Sequence, residues 1–338
     1  MSQRRWPPAS TRSLSLAAFG SFHVGGRAVA LQGLPPRTVR LTNAGTPAAI
    51  DPNGTHWVEA MYAQYFVPQP QRFGPPLMLW HGGGLTGACW ETTPDGREGW
   101  LPYFVRRGWA TLSCDAVERG RAGFAPTPQV FLDAPMHQPV HWAWDRFRIG
   151  AGSGSWHDDP QRRRPMPGGR FPVQAYDRFV KQFVPRWTET DEAILRGYLA
   201  LIDEVGPCCV LAHSQGGQFA LQAAQARPDV VQAVVLVEPS GFANPAQAHT
   251  LRRTPILVVQ GDGQRLEGRS AALRERVDVY FDVLRAAGVT VELLDLPAQG
   301  IGGNSHMMMM DLNSDDIAGL IATWLESQRL VDLGPPMS

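Results

Sequence analysis

The sequence predicts an α/β protein: a doubly wound, mostly parallel sheet with an inserted cap. Three observations carry this. From residue 188 onward, short apolar runs alternate with longer amphipathic ones, the order of β-α-β units joined by right-handed crossovers. Runs such as "PLMLW" (76–80) are wholly apolar, as strands covered on both faces must be. Residues 124–187 lose all periodicity over a stretch too long for a bare loop.

Taken in order, residues 1–75 are rich in Pro, Gly and Thr, and "RAVALQG" and "HWVEAMYAQYFV" alternate like strands of an antiparallel edge. "PLMLW" and "WATLSC" are the first buried strands. The proline- and aromatic-rich stretch 124–187, with "HWAWDRFRIG" and "SGSWHDDPQRRRPMPGGRFP", is assigned to the cap. The core is then 1–123 with 188–338. "ETDEAILRGYLALIDEVGP" reads as a helix capped by Thr190 and stopped by Gly206-Pro207. "CCVLA", "VQAVVLVEP", "TPILVVQGD" and "VTVELLDLP" are strands. "GGQFALQAAQARP", "RSAALRERVDVYFDVLRAAG" and "SDDIAGLIATWLESQR" are helices.

Composition excludes several classes. The 338 residues suit one α/β domain with an insertion. Lys+Arg and Asp+Glu are both 31, so no electrostatic footprint points to nucleic acid or an anionic membrane. Arg162-Arg163-Arg164 reads as a solvated loop. No run approaches 18 apolar residues, so no membrane span is expected. Arg4-Arg5 precede an apolar stretch, but Pro7-Pro8 and the polar breaks after them argue against an export signal. The cysteines Cys89, Cys114, Cys208 and Cys209 lack metal-ligand spacing, so no structural zinc is expected.

Three segments carry chemistry. In "CVLAHSQGG", Ser214 lies between a strand and a helix, where a nucleophile elbow places its serine. The motif is Gly-x-Ser-x-Gly with Ala212 in the first glycine position, and alanine is small enough for that turn. The plainer reading of Ser214 is a helix N-cap. In "LMLWHGGGLTG", glycines follow a strand and leave backbone N–H groups open to an oxyanion. Gly83 is the first choice, Gly84 stands beside it, and the Gln215 N–H is the partner, while His81 pins the loop. Gly82-x-Gly84-x-x-Gly87 also matches a dinucleotide fingerprint, but "ACWETTPDGREGW" after it lacks the helical period that fingerprint needs. In "PAQGIGGNSHMMMMD", a glycine-rich loop after the last strand presents His306 as general base. Of the four methionines that follow, one or two are candidates to line an apolar site. The acid that orients His306 is Glu238 or Asp262; both end strands, and spacing does not choose between them.

Together these segments resemble the α/β-hydrolase superfamily over roughly residues 50–330. Within it they are similar to a family of bacterial carboxylesterases. The likeness rests on "GSFHVGGR", "LWHGGGLTGACWETTPDGREGW", "DAVERGRAG", "AHSQGG", "VEP" and "GNSHMMMMD". It implies a serine esterase acting on a small-molecule ester or lactone, a cap over the site, a homodimer and no cofactor. It also implies a glutamate acid after the strand following the elbow, which falls on Glu238. A hydrolase-fold enzyme of other chemistry (lyase, C–C hydrolase or acyltransferase) and a non-catalytic binding module remain the alternatives. Cys89 and Cys114 are expected at neighbouring strand ends, where a disulfide is open to them in an oxidising compartment. Without a recognisable signal, the cytoplasm is the expected location.

Overall fold

The computed structural model describes residues 12–125, 129–131, 133–261, 268–328 and 330. The chain opens with the long strand β1 (Leu16–Leu31), a small separate hairpin of β2 (Arg37–Val39) and β3 (Ala48–Ile50), and a second long strand, β4 (Gly54–Pro68). β5 (Leu77–Trp80), α1 (Trp100–Arg107) and β6 (Thr111–Asp115) follow. Between β6 and the next long helix the described residues form α2 (Val140–Arg146), α3 (Tyr176–Phe179) and short 3₁₀ turns. Regular alternation then resumes: α4 (Asp191–Val205), β7 (Cys208–His213), α5 (Gln215–Ala226), β8 (Val231–Val237), β9 (Ile256–Gln260), α6 (Gly268–Ala286), β10 (Val291–Asp295) and α7 (Ser314–Ser327).

The eight-stranded sheet has the order β1-β4-β6-β5-β7-β8-β9-β10. β1, β4 and β6 pair antiparallel, and from β6 to β10 every pairing is parallel. The chain leaves β5 toward β6 on one side and is rejoined by β7 on the other. A crevice therefore opens at the carboxyl ends of β5 and β7, where parallel sheets place their sites.

The two-residue period of the strands divides the core. Leu77, Leu79, Cys209, Leu211, Val235 and Val237 face one cluster with α1 and α7; Met78, Trp80, Val210, Ala212, Val234 and Leu236 face the other with α4 and α5. The predicted Cys89–Cys114 bridge fails on this division. Cys89 packs in the first cluster and Cys114 in the second, so the sheet lies between them, and all four cysteines are buried free thiols. All four methionines, Met307 to Met310, are fully buried in the first cluster, and none lines the cavity that holds Ser214.

The described residues between β6 and α4 add no strand to the sheet. Trp144, Phe171, Tyr176 and Phe179 are buried there against the first cluster, Trp144 meeting Tyr176 edge-on at 5.0 Å. Arg163 is not simply solvated: its guanidinium lies 4.1 Å from the Trp156 ring centroid and pairs with Asp177. Thr190 occupies the N-cap position of α4 without making the cap hydrogen bond. Among the described residues no helix is long and apolar enough to cross a membrane.

Candidate active site

β7 ends at His213 and α5 begins at Gln215, so Ser214 alone takes the turn between strand and helix. It does so at φ 52° and ψ −117°, a left-handed conformation that costs a non-glycine residue about 1–3 kcal/mol. The turn is held from both sides. The Ser214 N–H donates to the Val237 carbonyl at 3.0 Å, and the Ser214 carbonyl accepts from Gly217 and Ser240 at 3.0 and 3.1 Å. The Ser214 side chain makes no cap bond to α5, which removes the N-cap explanation for this serine. Gly216 brings α5 onto the end of β5: a Cβ there would stand 2.7 Å from the His81 carbonyl oxygen. The alanine at Ala212 is accommodated inside β7, fully buried.

The loop after β5 lies directly against this turn. A Cβ on Gly82 would stand 3.1 Å from that of Ser214, and one on Gly83 would stand 2.5 Å from Arg186 Nη1 and 2.8 Å from Gln215 Oε1. The Gly83 N–H meets no acceptor among the described residues, and the Gln215 N–H, at the first position of α5, has no intrahelical acceptor. Gly84 is turned elsewhere; its carbonyl accepts from the Val184 N–H at 3.0 Å, and it does not line the cavity that holds Ser214. His81 ties the loop to β6. Its Nε2 accepts from the Ala116 N–H at 3.1 Å, so Nδ1 carries the proton and donates to the Gly82 carbonyl at 2.8 Å. Burial holds this imidazole down at about 4, hence neutral. The dinucleotide alternative has no helix to stand on: Gly87 opens a four-residue 3₁₀ turn, and its N–H is taken by Asp115 at 2.7 Å.

His306 sits in the loop between β10 and α7, its Nδ1 2.6 Å from Glu238 Oε2. Its N–H donates to the Phe147 carbonyl at 2.9 Å, and its ring packs against Phe147 and His213, with centroids 4.9 and 4.6 Å away. His213 Nε2 also donates to the His306 carbonyl at 2.8 Å. Asp311 braces the loop by accepting from the Ser305 N–H, the Ser305 hydroxyl and the Asn304 amide. Burial still pushes the Asp311 carboxyl up to about 6.

Glu238 follows β8 at φ 44°, with no exposed surface. Burial would raise its carboxyl. The Arg148 charge and the bonds from His306 and Arg148 outweigh that and hold it well below the usual carboxylate range. Oε1 accepts from Arg148 Nη2 at 2.5 Å and from the Gly261 N–H at 3.2 Å. The competing acid, Asp262, lies outside the described residues.

Ser214, His306, Gly83 and Gln215 line one cavity of about 620 Å³. Trp142 and Phe147 form its apolar wall, and the other cap aromatics Trp144, Trp156 and Phe171 do not reach it. Trp187 packs on Phe131 instead, and Phe183 lines a smaller neighbouring pocket. Arg148 and Arg186 were not singled out from the sequence; both come from the aperiodic stretch, which offers no pattern to mark them. Among the described residues no group of three or more His, Cys, Asp or Glu side chains is placed to hold a metal ion.

No protein-family model matches the chain. A solved structure of a novel bacterial esterase is similar over 95% of this chain and 99% of its own, with 34% identity and a TM-score of 0.80. A probable secreted lipase from a fungal species, phiG, is 27% identical, with 79% of this chain and 86% of its own length matched.

Proposed function

Because the chain belongs to the family of that bacterial esterase, within the α/β-hydrolase superfamily, we propose that it is a serine carboxylic ester hydrolase. The observation that carries this is one arrangement: a strained serine and a histidine facing one cavity, with the histidine's far nitrogen 2.6 Å from a buried carboxylate.

In this reading Ser214 Oγ attacks the ester carbonyl and His306 takes its proton. The Glu238 carboxylate holds Nδ1–H, fixing the tautomer and stabilising the imidazolium that forms. The N–H groups of Gly83 and Gln215 receive the developing oxyanion. Collapse of the tetrahedral intermediate breaks the bond to the alcohol, which leaves with the proton from His306. Water then attacks the acyl-enzyme with His306 again as base, releasing the acid and restoring Ser214. Residues 124–187 act as a cap, and Trp142 and Phe147 take the apolar part of the ester or lactone. A homodimer is proposed with it: the edge strand β1 leaves Phe19 67% exposed, and β4 leaves Trp57 68% exposed.

The test is Ser214→Ala, with labelling of the wild type by a fluorophosphonate. Loss of ester hydrolysis at unchanged melting temperature, with the label on Ser214, is the expected result. Turnover within tenfold of wild type in a folded Ser214→Ala protein would overturn the assignment.

A further inference from the structure

We propose that the substrate carries a carboxylate besides its reacting ester, and that Arg186 receives it beside the oxyanion loop. This rests on the serine-ester reading and names the substrate class it leaves open.

Among the described residues, the ionisable lining of the cavity, apart from His306, is Arg146, Arg148, Arg186 and Arg276, with no carboxylate. Composition does not account for that, since acidic and basic residues are equal in number, 31 each. Arg148 is spent on Glu238. Arg186 is not spent. No Asp or Glu oxygen among the described residues lies within ion-pair distance of it; its Nη1 donates to the neutral Gln215 Oε1 at 3.0 Å, and its buried Nε has no partner. Asp191, whose charge favours the Arg186 cation from beyond ion-pair distance, accepts instead from the Gln215 and Gln218 amides at 3.4 and 3.0 Å. Burial lowers the Arg186 guanidinium from its ordinary value, so the fold holds this cation at a cost.

The position is fixed as well as unpaired. The Arg186 backbone exchanges two hydrogen bonds with Met136, at 3.0 and 2.7 Å. Its Nη1 lies where a side chain on Gly83 would have to go. Arg146 and Arg276 reinforce the charge, lying over the rings of Trp142 and Phe242 without a carboxylate partner among the described residues. A planar guanidinium held at the rim of the reaction centre matches a carboxylate in two-point geometry. Trp142 and Phe147 then accept the apolar chain between acid and ester. Half-esters of dicarboxylic acids, or lactones bearing an acid, have this shape.

The experiment compares the mono-para-nitrophenyl ester of adipic acid with the same compound capped as its methyl ester. The expected result is a kcat/KM about tenfold or more higher for the free acid, shrinking with added salt, from one charge-assisted pair. Arg186→Gln removes the preference, and Arg186→Lys retains part of it. Calorimetric binding of adipate itself, weakened in Arg186→Gln, reads the site without hydrolysis. Equal rates for the two esters overturn the proposal. So does an Arg186→Gln variant that loses both rates equally, which would put Arg186 on the oxyanion instead. Failure of the serine reading shows separately, as unlabelled Ser214 and no hydrolysis of the capped ester.

Discussion

Arg148 Nη2 lies 2.5 Å from one oxygen of Glu238, and His306 Nδ1 lies 2.6 Å from the other. The guanidinium is supplied by the stretch between β6 and α4, so the carboxylate is held from outside the sheet that carries it. Both partners of this ion pair are buried, at 4% and 0% side-chain exposure. Removing one leaves the other buried charge without its ion-pair partner, which costs about 3–5 kcal/mol.

Arg148→Met is therefore expected to lower stability by about 3 kcal/mol or more and turnover at least about tenfold, with Arg148→Lys between it and wild type. Urea unfolding and kcat on one activated ester check this. A Met variant with wild-type stability would show that Glu238 needs no partner beyond His306.

Glu238→Gln should reduce kcat far more than Asp262→Asn, since Glu238 already bonds the His306 imidazole. Loss of the orienting acid costs about 10⁴-fold in the worked serine-protease case. Turnover numbers of both variants, with melting temperatures alongside, decide between the acids. A crippled Asp262→Asn beside a near-normal Glu238→Gln would transfer the role.

The thiols of Cys89, Cys114, Cys208 and Cys209 should resist a thiol reagent until the protein unfolds. Each is buried, and burial pushes each thiol up from its usual value. Peptide mapping of protein made under oxidising conditions should find Cys89 and Cys114 unpaired. A mapped bridge between them would require one to cross the sheet.

His81 should contribute a loss of stability on acidification below neutral, opposite in sign to Asp311 and Glu118, whose carboxyls burial raises to about 6 and about 8. Its folded imidazole is held at about 4, below the ordinary 6.5. Between those values the unfolded chain binds the extra proton, so this contribution is complete above about pH 6.5 and is lost as pH falls toward 4. His213, lowered by burial in the same sense, adds to the slope. Urea unfolding at pH 7 and pH 5 should show a smaller loss in His81→Gln than in wild type. An equal loss would remove His81 from the account.

Strand and helix were legible wherever an element buries one face or both against the core, because burial imposes its period locally. That made the parallel sheet, the elbow at Ser214 and the glycine loop at Gly83 readable as residues along a line. The histidine loop was readable too, from its place after the last strand. The choice between Glu238 and Asp262 was not, since both end strands and only the resemblance favoured one. The fold brings the Glu238 carboxylate to His306 through a left-handed turn, for which no residue type is diagnostic. Arg148 and Arg186 stayed hidden because their positions depend on how an aperiodic segment folds back over the crevice. The cysteine pair misled for a related reason. β5 and β6 do lie side by side, but which face a thiol takes depends on a residue-by-residue parity set after β5, in the turn that places Cys89.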